Sequence, residues 1–539
     1  MPSRAAREYC CWQSGNVETR SFFEWFRGRV DAHGAPWLLL GKGPSFGKLD
    51  RFDLTGYQTL SLNHVVRELP VTAAHLIDWD VFVDAAEAIE RNAQVMVAPW
   101  YPHRRNRAGR LNLDQLCLQH PALQRLRDQG RLLWYNLSTA PEVRLGSPIV
   151  EATSFSAEAA LNLLALAGVR RVRSLGIDGG TAYSQQFFDL RNRTLLSNGQ
   201  PNFNRQFAKI ARTLLRTGID YAPLDVESPV RILVAATDSQ MLSFKVLEYS
   251  IRKHASMSVS VVPVDPVGIE FLQLRDGPDL LRKPWHFALP HRVGHIGRAI
   301  CMHSDMQVFR DIRRLWEWPL EDGQISTTYQ TLENRPRFGV AVMDCPSLAA
   351  IEQIADQLKQ GPLDQESLRE TPLGKRMRFD LGTAWNSCEH FSRDQTALLH
   401  FTDIRTRPWV SIANPLGHLW VGDLIEAVDH AFLTLDDIEQ HVAKGHVRPS
   451  LIYQVKNRIL DAQTLSTKVV AMDERFSAAS GAVFRKNTTW GHPLSYARAV
   501  LRNYTIQAKS PRLARLVARL LAGLERQGLG NERGQSFRQ

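Results

Sequence analysis

The sequence predicts an α/β protein built from two tandem, doubly wound domains with a helical appendage, and three observations lead there. Its 539 residues exceed what one hydrophobic core usually organises, so at least two domains are expected. Short apolar runs bounded by turn residues alternate with segments of helical periodicity, the pattern of parallel strands joined by crossover helices. The pattern also starts twice: after "YAPLDVESPV", where Pro223 and Pro229 bracket an acidic linker, "RILVAATDS" opens a fresh strand.

In order, residues 1–34 read as an N-terminal extension without the apolar core of a secretion signal. The first domain, 35–228, opens with the strand Trp37 to Leu40 of "APWLLLGKGPSFGKLD", which breaks into a glycine-rich turn. "HLIDWDVFV", "AQVMVAPW" and "GRLLWYNLS" continue the alternation, "SAEAALNLLALAG" is helical, and "RVRSLGID" is the next strand. In the second domain, 229–425, the opening strand is followed by "QMLSFKVLEYSIRKHA", where Leu242, Val246, Tyr249 and Ser250 follow helical spacing.

The remainder, 426–539, is helix-rich and basic. After Ser510-Pro511, Leu513, Leu516, Val517, Leu520, Leu521 and Leu524 recur at helical spacing, while Arg512, Arg515, Arg519 and Arg526 take the other side. Such a helix either docks on its own domain or lies on an anionic membrane surface. Between Tyr496 and Gln539 nine Lys or Arg stand against two acids, a surplus of seven within a net charge of +11, so most of the basicity belongs to this tail. No signature of a DNA- or RNA-binding module accompanies it, so no nucleic acid partner is expected.

The six cysteines are scattered without a CxxC spacing, which argues against a structural zinc site or a disulfide framework and for a reducing compartment. No run of about 18 apolar residues is present that could span a bilayer. The expected location is cytoplasmic, or peripheral at the inner face of the membrane.

The chemistry concentrates between residues 231 and 410. "ILVAATD" places Thr237 and Asp238 at the carboxyl end of a strand, where open α/β sheets bind ligands. "RAICMHSDMQVF" runs from an apolar strand into the elbow His303-Ser304-Asp305; then come Asp364-Gln365 in "PLDQESL", Trp385-Asn386 in "GTAWNSC", and "LLHFTDIRTRPW" with His400. An isolated Asp at a strand end is commonly a turn former, and a lone His is more often packed than a ligand. The five elements in this order are more specific than any one of them.

Together they resemble the family 8 glycosyltransferases of the glycogenin and lipopolysaccharide galactosyltransferase type, over about 180 residues. The resemblance implies a GT-A fold and a retaining, manganese-assisted transfer from a UDP-sugar to a glycan or lipid-linked acceptor, in bacterial surface polysaccharide synthesis. It implies that Thr237 and Asp238 contact the nucleotide and that Asp305 holds the metal as the second aspartate of a DxD motif. His400 completes the metal shell, Arg407 with Trp409 takes the place of the element gripping the diphosphate, and Asp364 and Gln365 line the reaction centre. The departure is His303, which stands where the first aspartate is usual. Imidazole suits zinc, copper or nickel better than manganese, so altered metal choice, weaker manganese binding or loss of the metal are all open. A non-catalytic nucleotide-sugar-binding protein is the alternative.

In the first domain, "GKGPS" offers Gly41, Gly43 and Ser45 as a short loop whose backbone N–H groups are expected to be free to approach an anion. Asn63 in "LSLNHVV", Thr153-Ser154 before a helix, and Asp178 in "LGID" follow; the Thr-Ser pair suits phosphate at a helix N-terminus or a plain N-cap. This series resembles the bacterial sialyltransferases of family 42 and the MptE-like domains named for 6-hydroxymethylpterin diphosphokinase, over about 190 residues, and implies a nucleotide pocket lined by these residues. Two departures stand out: Lys42 replaces the asparagine of the loop, and no histidine lies between His120 and His254 to act as general base after "GID".

Overall fold

The computed structural model describes residues 19–29, 34–265, 297–321, 324–332, 335–346 and 374–476. The chain divides into two compact units, Met1–Glu227 and Ser228–Gln539. Both are α/β, as the alternation in the sequence predicts.

The first unit is organised by a nine-stranded sheet. Its strands are β1 (Arg20–Ser21), β2 (Trp37–Leu40), β3 (Gln58–Leu62), β4 (Val71–His75), β5 (Ala93–Pro99), β6 (Leu132–Leu137), β7 (Ile149–Val150), β8 (Arg171–Leu175) and β9 (Asp220–Pro223). They lie in the order β1-β6-β5-β4-β3-β2-β8-β9 with β7 beside β6, and every pairing is parallel. A parallel strand covered on both faces needs apolar residues on both, and β2 supplies them. Trp37 and Leu39 enter one core with Leu60, Val97 and Leu161, and Leu38 and Leu40 enter the other with Phe82, Ile89 and Met96. The chain builds outward from β2 through β3, β4, β5 and β6, then crosses to the other side of β2 to lay down β8. That reversal opens a crevice beyond the paired ends Leu40 and Leu175, the usual ligand position in such sheets.

The second unit repeats the device with a mixed sheet. Strands β10 (Val230–Ala235), β11 (Val259–Val264) and β12 (Arg298–His303) are mutually parallel with β10 in the middle. The helix α1 (Met241–His254) joins β10 to β11, and its last turn carries Arg252, Lys253 and His254, favourable charges for the carbonyl end of a helix dipole. A short strand β13 (Met306–Val308) follows β12. The sheet continues past β12 with β15 (Arg335–Asp344), β14 (Ile325–Leu332) and β16 (Met377–Arg378); β15 is antiparallel to both its neighbours, and β16 pairs parallel with β14. Two further strands, β17 (Ser387–Cys388) and β18 (Leu398–His400), form with β13 a small sheet of order β13-β18-β17. Helices α2 (Gly417–Asp429), α3 (Leu435–Ala443) and α4 (Ser450–Lys456) follow, and short helical turns up to Asp473 come last among the described residues. No helix of the described residues is long and apolar enough to cross a membrane. The basic helix expected after Ser510, and its membrane contact, lie outside the described residues.

Candidate functional site

In the second unit β11 and β12 flank β10 on opposite sides and Ala235 pairs with His303, so both strand ends lie side by side at the position where open α/β sheets bind ligands. Thr237 starts the next turn there: its hydroxyl and N–H are tied to Gln240 in a capping box, and Asp238 points outward, its side chain 73% exposed. Lys444 and His446 approach that carboxylate at 3.6 and 3.8 Å.

Past His303 the chain turns at Ser304-Asp305 into β13, which runs antiparallel to β18 with Met306 opposite His400. This pairing brings Asp305 and His400 together from positions far apart in sequence, and Phe401 N–H donates to the Asp305 carbonyl at 2.9 Å to fix the register. His400 Nε2 lies 3.2 Å from Asp305 Oδ1, and the His303 ring meets the His400 ring edge-on at 5.5 Å between centroids. Ligand atoms of His303, Asp305 and His400 all lie within 4.8 Å of one another. Asp305 and His400 are buried, while His303 is half-buried.

Arg407, itself buried, donates through Nη2 to Asp305 Oδ2 and through Nε to the Phe401 carbonyl at 3.2 Å. Burial opposes ionisation of Asp305, but the Arg407 guanidinium and the neighbouring imidazoles hold its carboxyl well below the usual carboxylate range. Burial also works against a charge on His400, yet the Asp305 carboxylate outweighs it and lifts the imidazole to about 10. Asp305 is thus a carboxylate between two cations, Arg407 and His400.

The residues nonetheless fit a divalent ion. Asp305 Oδ1 is buried without an aligned hydrogen-bond donor, because Arg407 occupies only Oδ2 and the His400 contact is poorly directed. His400 Nδ1 is taken by Asn386 Oδ1 at 2.9 Å, which turns Nε2 toward Asp305 as a ligand imidazole is usually turned by its outer partner. Asn386 fits there because residue 339 is glycine: a Cβ on Gly339 would lie 2.2 Å from Asn386 Cγ. The donor set of two imidazoles and one carboxylate is one that first-row divalent metals share, with zinc favoured over manganese by ligand type.

Trp409, placed by the resemblance at the nucleotide, is 5% exposed and packs on Phe401 and Trp420, with the Arg407 guanidinium 5.8 Å above its ring. The Arg407-to-Trp409 segment is pinned from behind by Arg448, whose Nε donates to the Pro408 carbonyl and whose N–H donates to that of Trp409, both at 2.9 Å. Nothing near Arg448 in sequence marks it as part of this segment's support. Asp364 and Gln365 lie outside the described residues.

In the first unit the crevice beyond Leu40 and Leu175 is a cavity of about 570 Å³, lined by Gly41, Gly43, Asn63, Ser154 and Asp178 among the expected residues. The expectation of free loop N–H groups fails. Gly41 and Gly43 N–H donate to the carbonyls of Leu175 and Gly176 at 2.8 Å, and Ser45 N–H donates to Asp178 Oδ2 at 2.6 Å. The glycines serve backbone contact: a Cβ on Gly41 would fall 2.3 Å from the Gly176 carbonyl oxygen, and one on Gly43 2.5 Å from Asp178 Oδ2. Asp178 also accepts from Ser45 Oγ at 2.8 Å, so its carboxylate braces the two loops. Thr153 and Ser154 N–H both donate to Glu158 Oε2, so these donors already have a carboxylate; neither residue caps the helix Ser156–Leu166, whose N-cap is Phe155 without a side-chain cap bond. Asn63 adopts φ 55° and donates to Ser156 Oγ at 3.3 Å.

No protein-family model and no curated protein sequence matches the chain. Among solved structures it is similar to the bifunctional glycosyltransferase WbbM, at 13% identity and a TM-score of 0.28 over 38% of this chain and 51% of that one. It is similar to the galactosyltransferase LgtC, solved with donor and acceptor sugar analogues, at 12% identity and TM-score 0.28, over 36% of this chain and 95% of that one. It is also similar to the glycosyltransferase GlyE of Streptococcus pneumoniae TIGR4, at 13% identity and TM-score 0.28, over 36% of this chain and 60% of that one. The chain thus spans about half the length of the first of these.

Proposed function

We propose that the second unit is a glycosyltransferase that moves a hexosyl group from a nucleotide-sugar, a UDP-sugar, to a glycan or lipid-linked acceptor, with retention at the anomeric carbon, in bacterial surface polysaccharide or lipopolysaccharide synthesis. The observation that carries this reading is the convergence of His303, Asp305, His400 and Arg407 beyond the ends of β10 and β12. A nucleoside diphosphate leaving group needs its developing charge met, and this crevice assembles cationic and metal-ligating groups where open α/β sheets bind ligands.

His303, Asp305 and His400 would hold a divalent cation, which would supply Lewis-acid stabilisation of the diphosphate. Arg407 is held in place by Asp305 and by the Phe401 carbonyl, which engage Nη2 and Nε and leave Nη1 and the second Nη2 hydrogen for a ligand. A guanidinium so placed suits two phosphate oxygens at once. Thr237 and Asp238 follow the end of β10 and are proposed to face the nucleoside; Asp364 and Gln365 are proposed, from the resemblance, to line the sugar.

The test is a thermal-shift screen of the full chain against UDP, UDP-glucose and UDP-galactose, alone and with manganese or zinc, followed by assay for UDP release. A metal-dependent stabilisation by UDP is expected, of about 2.7 kcal/mol when ligand is about a hundredfold over its Kd. Turnover supports the transferase; binding with no turnover across donors and metals moves the reading to a non-catalytic nucleotide-sugar-binding protein.

A further inference from the structure

Residues 101–111, "YPHRRNRAGRL", carry four arginines and no acid. They form a two-stranded antiparallel sheet of their own, His103–Arg104 against Arg107–Ala108. The two-residue turn between them, Arg105-Asn106, has φ 50° and 59°, both positive as a type I′ turn requires, where asparagine and glycine are the favoured residues. An arginine there costs free energy, and the surrounding chain holds it in place. Asp80 accepts the Arg105 N–H at 2.9 Å and Asp78 the Asn106 N–H at 3.2 Å, while Asn106 Nδ2 donates to the Ser197 carbonyl at 2.8 Å. At the base of the hairpin Gly109 N–H donates to the Pro102 carbonyl at 3.0 Å, an approach that a Cβ, 2.3 Å from that oxygen, would prevent.

The hairpin is thus fixed, and its charge is left unanswered. Arg104, Arg105, Arg107 and Arg110 are all exposed, and none has an ion-pair partner among the described residues. Arg104 and Arg107 stand directly opposite each other across the two strands, a like-charge pairing that destabilises a hairpin unless an anion meets it. The nearby carboxylates are engaged elsewhere: Asp78 and Asp80 hold the turn, and Glu142 accepts from the Tyr101 hydroxyl at 2.9 Å.

Apolar side chains flank these arginines. Leu145, 92% exposed, and Leu118, 81% exposed, are the most exposed large apolar residues among those described. Leu118 ends the short helix Leu113–Cys117 that follows the hairpin. Leu145, with Val143 also exposed, lies on the loop after β6, which is tied to the first strand of the hairpin by His103 Nε2 and Thr139 Oγ1 at 2.8 Å. Single apolar residues at a surface are ordinary, but here the two most exposed both adjoin a rigid row of unpaired arginines.

We propose that this face of the first unit docks on an anionic lipid bilayer, with the arginines on lipid phosphates and Leu118, Val143 and Leu145 entering the headgroup layer. A guanidinium fork suits phosphate oxygens. Basic residues close to an anionic leaflet are attracted to it, and exposed apolar side chains gain from insertion, a gain that a soluble polyanion does not offer. None of these residues belongs to the basic tail after Tyr496, and the proposal does not rest on the chemistry assigned to the second unit.

Co-sedimentation of the full chain tests it, with vesicles of phosphatidylglycerol and phosphatidylcholine in equal parts against vesicles of phosphatidylcholine alone. Binding is expected to the anionic vesicles only, weakening as sodium chloride is raised. Arg104→Gln combined with Arg107→Gln should lower the partition coefficient on the order of tenfold, and Leu145→Ser should lower it severalfold. The substituted side chains are exposed, so melting should not fall. In wild type, hydrogen exchange over 101–118 and 139–149 should slow on the anionic vesicles. Failure to bind anionic vesicles would overturn the proposal, and so would equal binding by wild type and both variants, the result if the tail alone were responsible. Heparin protecting the same segments while Leu145→Ser leaves vesicle binding intact would also overturn it, since the surface would then serve a soluble polyanion.

Discussion

His400 and Asp305 face each other at 3.2 Å across the β13–β18 pairing, and the far nitrogen of the imidazole is fixed by Asn386. If that orientation serves a metal, Asn386→Leu should weaken divalent-ion affinity by roughly 10–100-fold, the usual effect of losing an outer-shell partner. Competition dialysis with zinc and manganese measures it, and a melting curve within a few degrees of wild type shows that the fold is kept.

His303 supplies nitrogen where a second carboxylate would suit manganese better. His303→Asp should tighten manganese on the order of tenfold, about 1.4 kcal/mol, and reduce any preference for zinc. Manganese titration followed by electron paramagnetic resonance reads the change; unaltered affinity for both metals would show that position 303 does not reach the ion.

Arg407 is the neutralising partner of a buried carboxylate. Arg407→Leu leaves Asp305 to His400 alone and takes the donor from Oδ2, and the second unit should lose about 1–3 kcal/mol in urea unfolding. Arg407→Lys keeps the charge without the fork, so it should lose less stability yet bind UDP more weakly than wild type.

The sequence made the strand–helix frame legible because its apolar runs are long and bounded by turn residues; Trp37–Leu40 and the helix Met241–His254 stand where their patterns placed them. It also brought out His303, Asp305 and His400 as one group, through the order of elements. What it missed depends on contacts distant in the chain. Nothing around "GKGPS" shows that Gly176 will consume the N–H of Gly43, or that Asp178 will consume that of Ser45. His64 stands out only in the folded chain, where neither ring nitrogen has a hydrogen-bond partner. The resemblance sets Trp409 with Arg407 at the diphosphate, and its burial against Trp420 is a packing outcome with no local signature.

Two glycines with the same backbone angle separate strain from contact. Gly176 and Gly180 both have φ 76°, but a Cβ at Gly176 would lie 2.1 Å from the Gly41 carbonyl oxygen, whereas Gly180 has open space. Gly180→Ala should cost about 1 kcal/mol from the left-handed backbone alone. Gly176→Ala should cost roughly 2–4 kcal/mol, because the β2 and β8 loops must part. Denaturant unfolding of the two variants measures the difference.

Burial and the charge of Arg67 pull Lys42 down to about 8. Its amine is the nucleophile only when neutral, so its acetylation should rise through a midpoint near pH 8, against a usual lysine value of about 10.4. The sign for stability is the reverse of an ion pair's. The folded protein binds fewer protons here than the unfolded chain, so this residue's contribution improves as pH rises from about 8 toward the ordinary lysine value.

The most direct measurement is UDP release from a UDP-sugar by wild type, Asp305→Ala and His400→Ala, each with and without added manganese or zinc, alongside UDP binding by calorimetry. Metal-stimulated release in the wild type that falls by about a hundredfold or more in both variants, with folding retained, is the expected result. Release or UDP binding that is indifferent to metal and unchanged in both variants would contradict the assignment of His303, Asp305 and His400 as the centre of a sugar-transfer site.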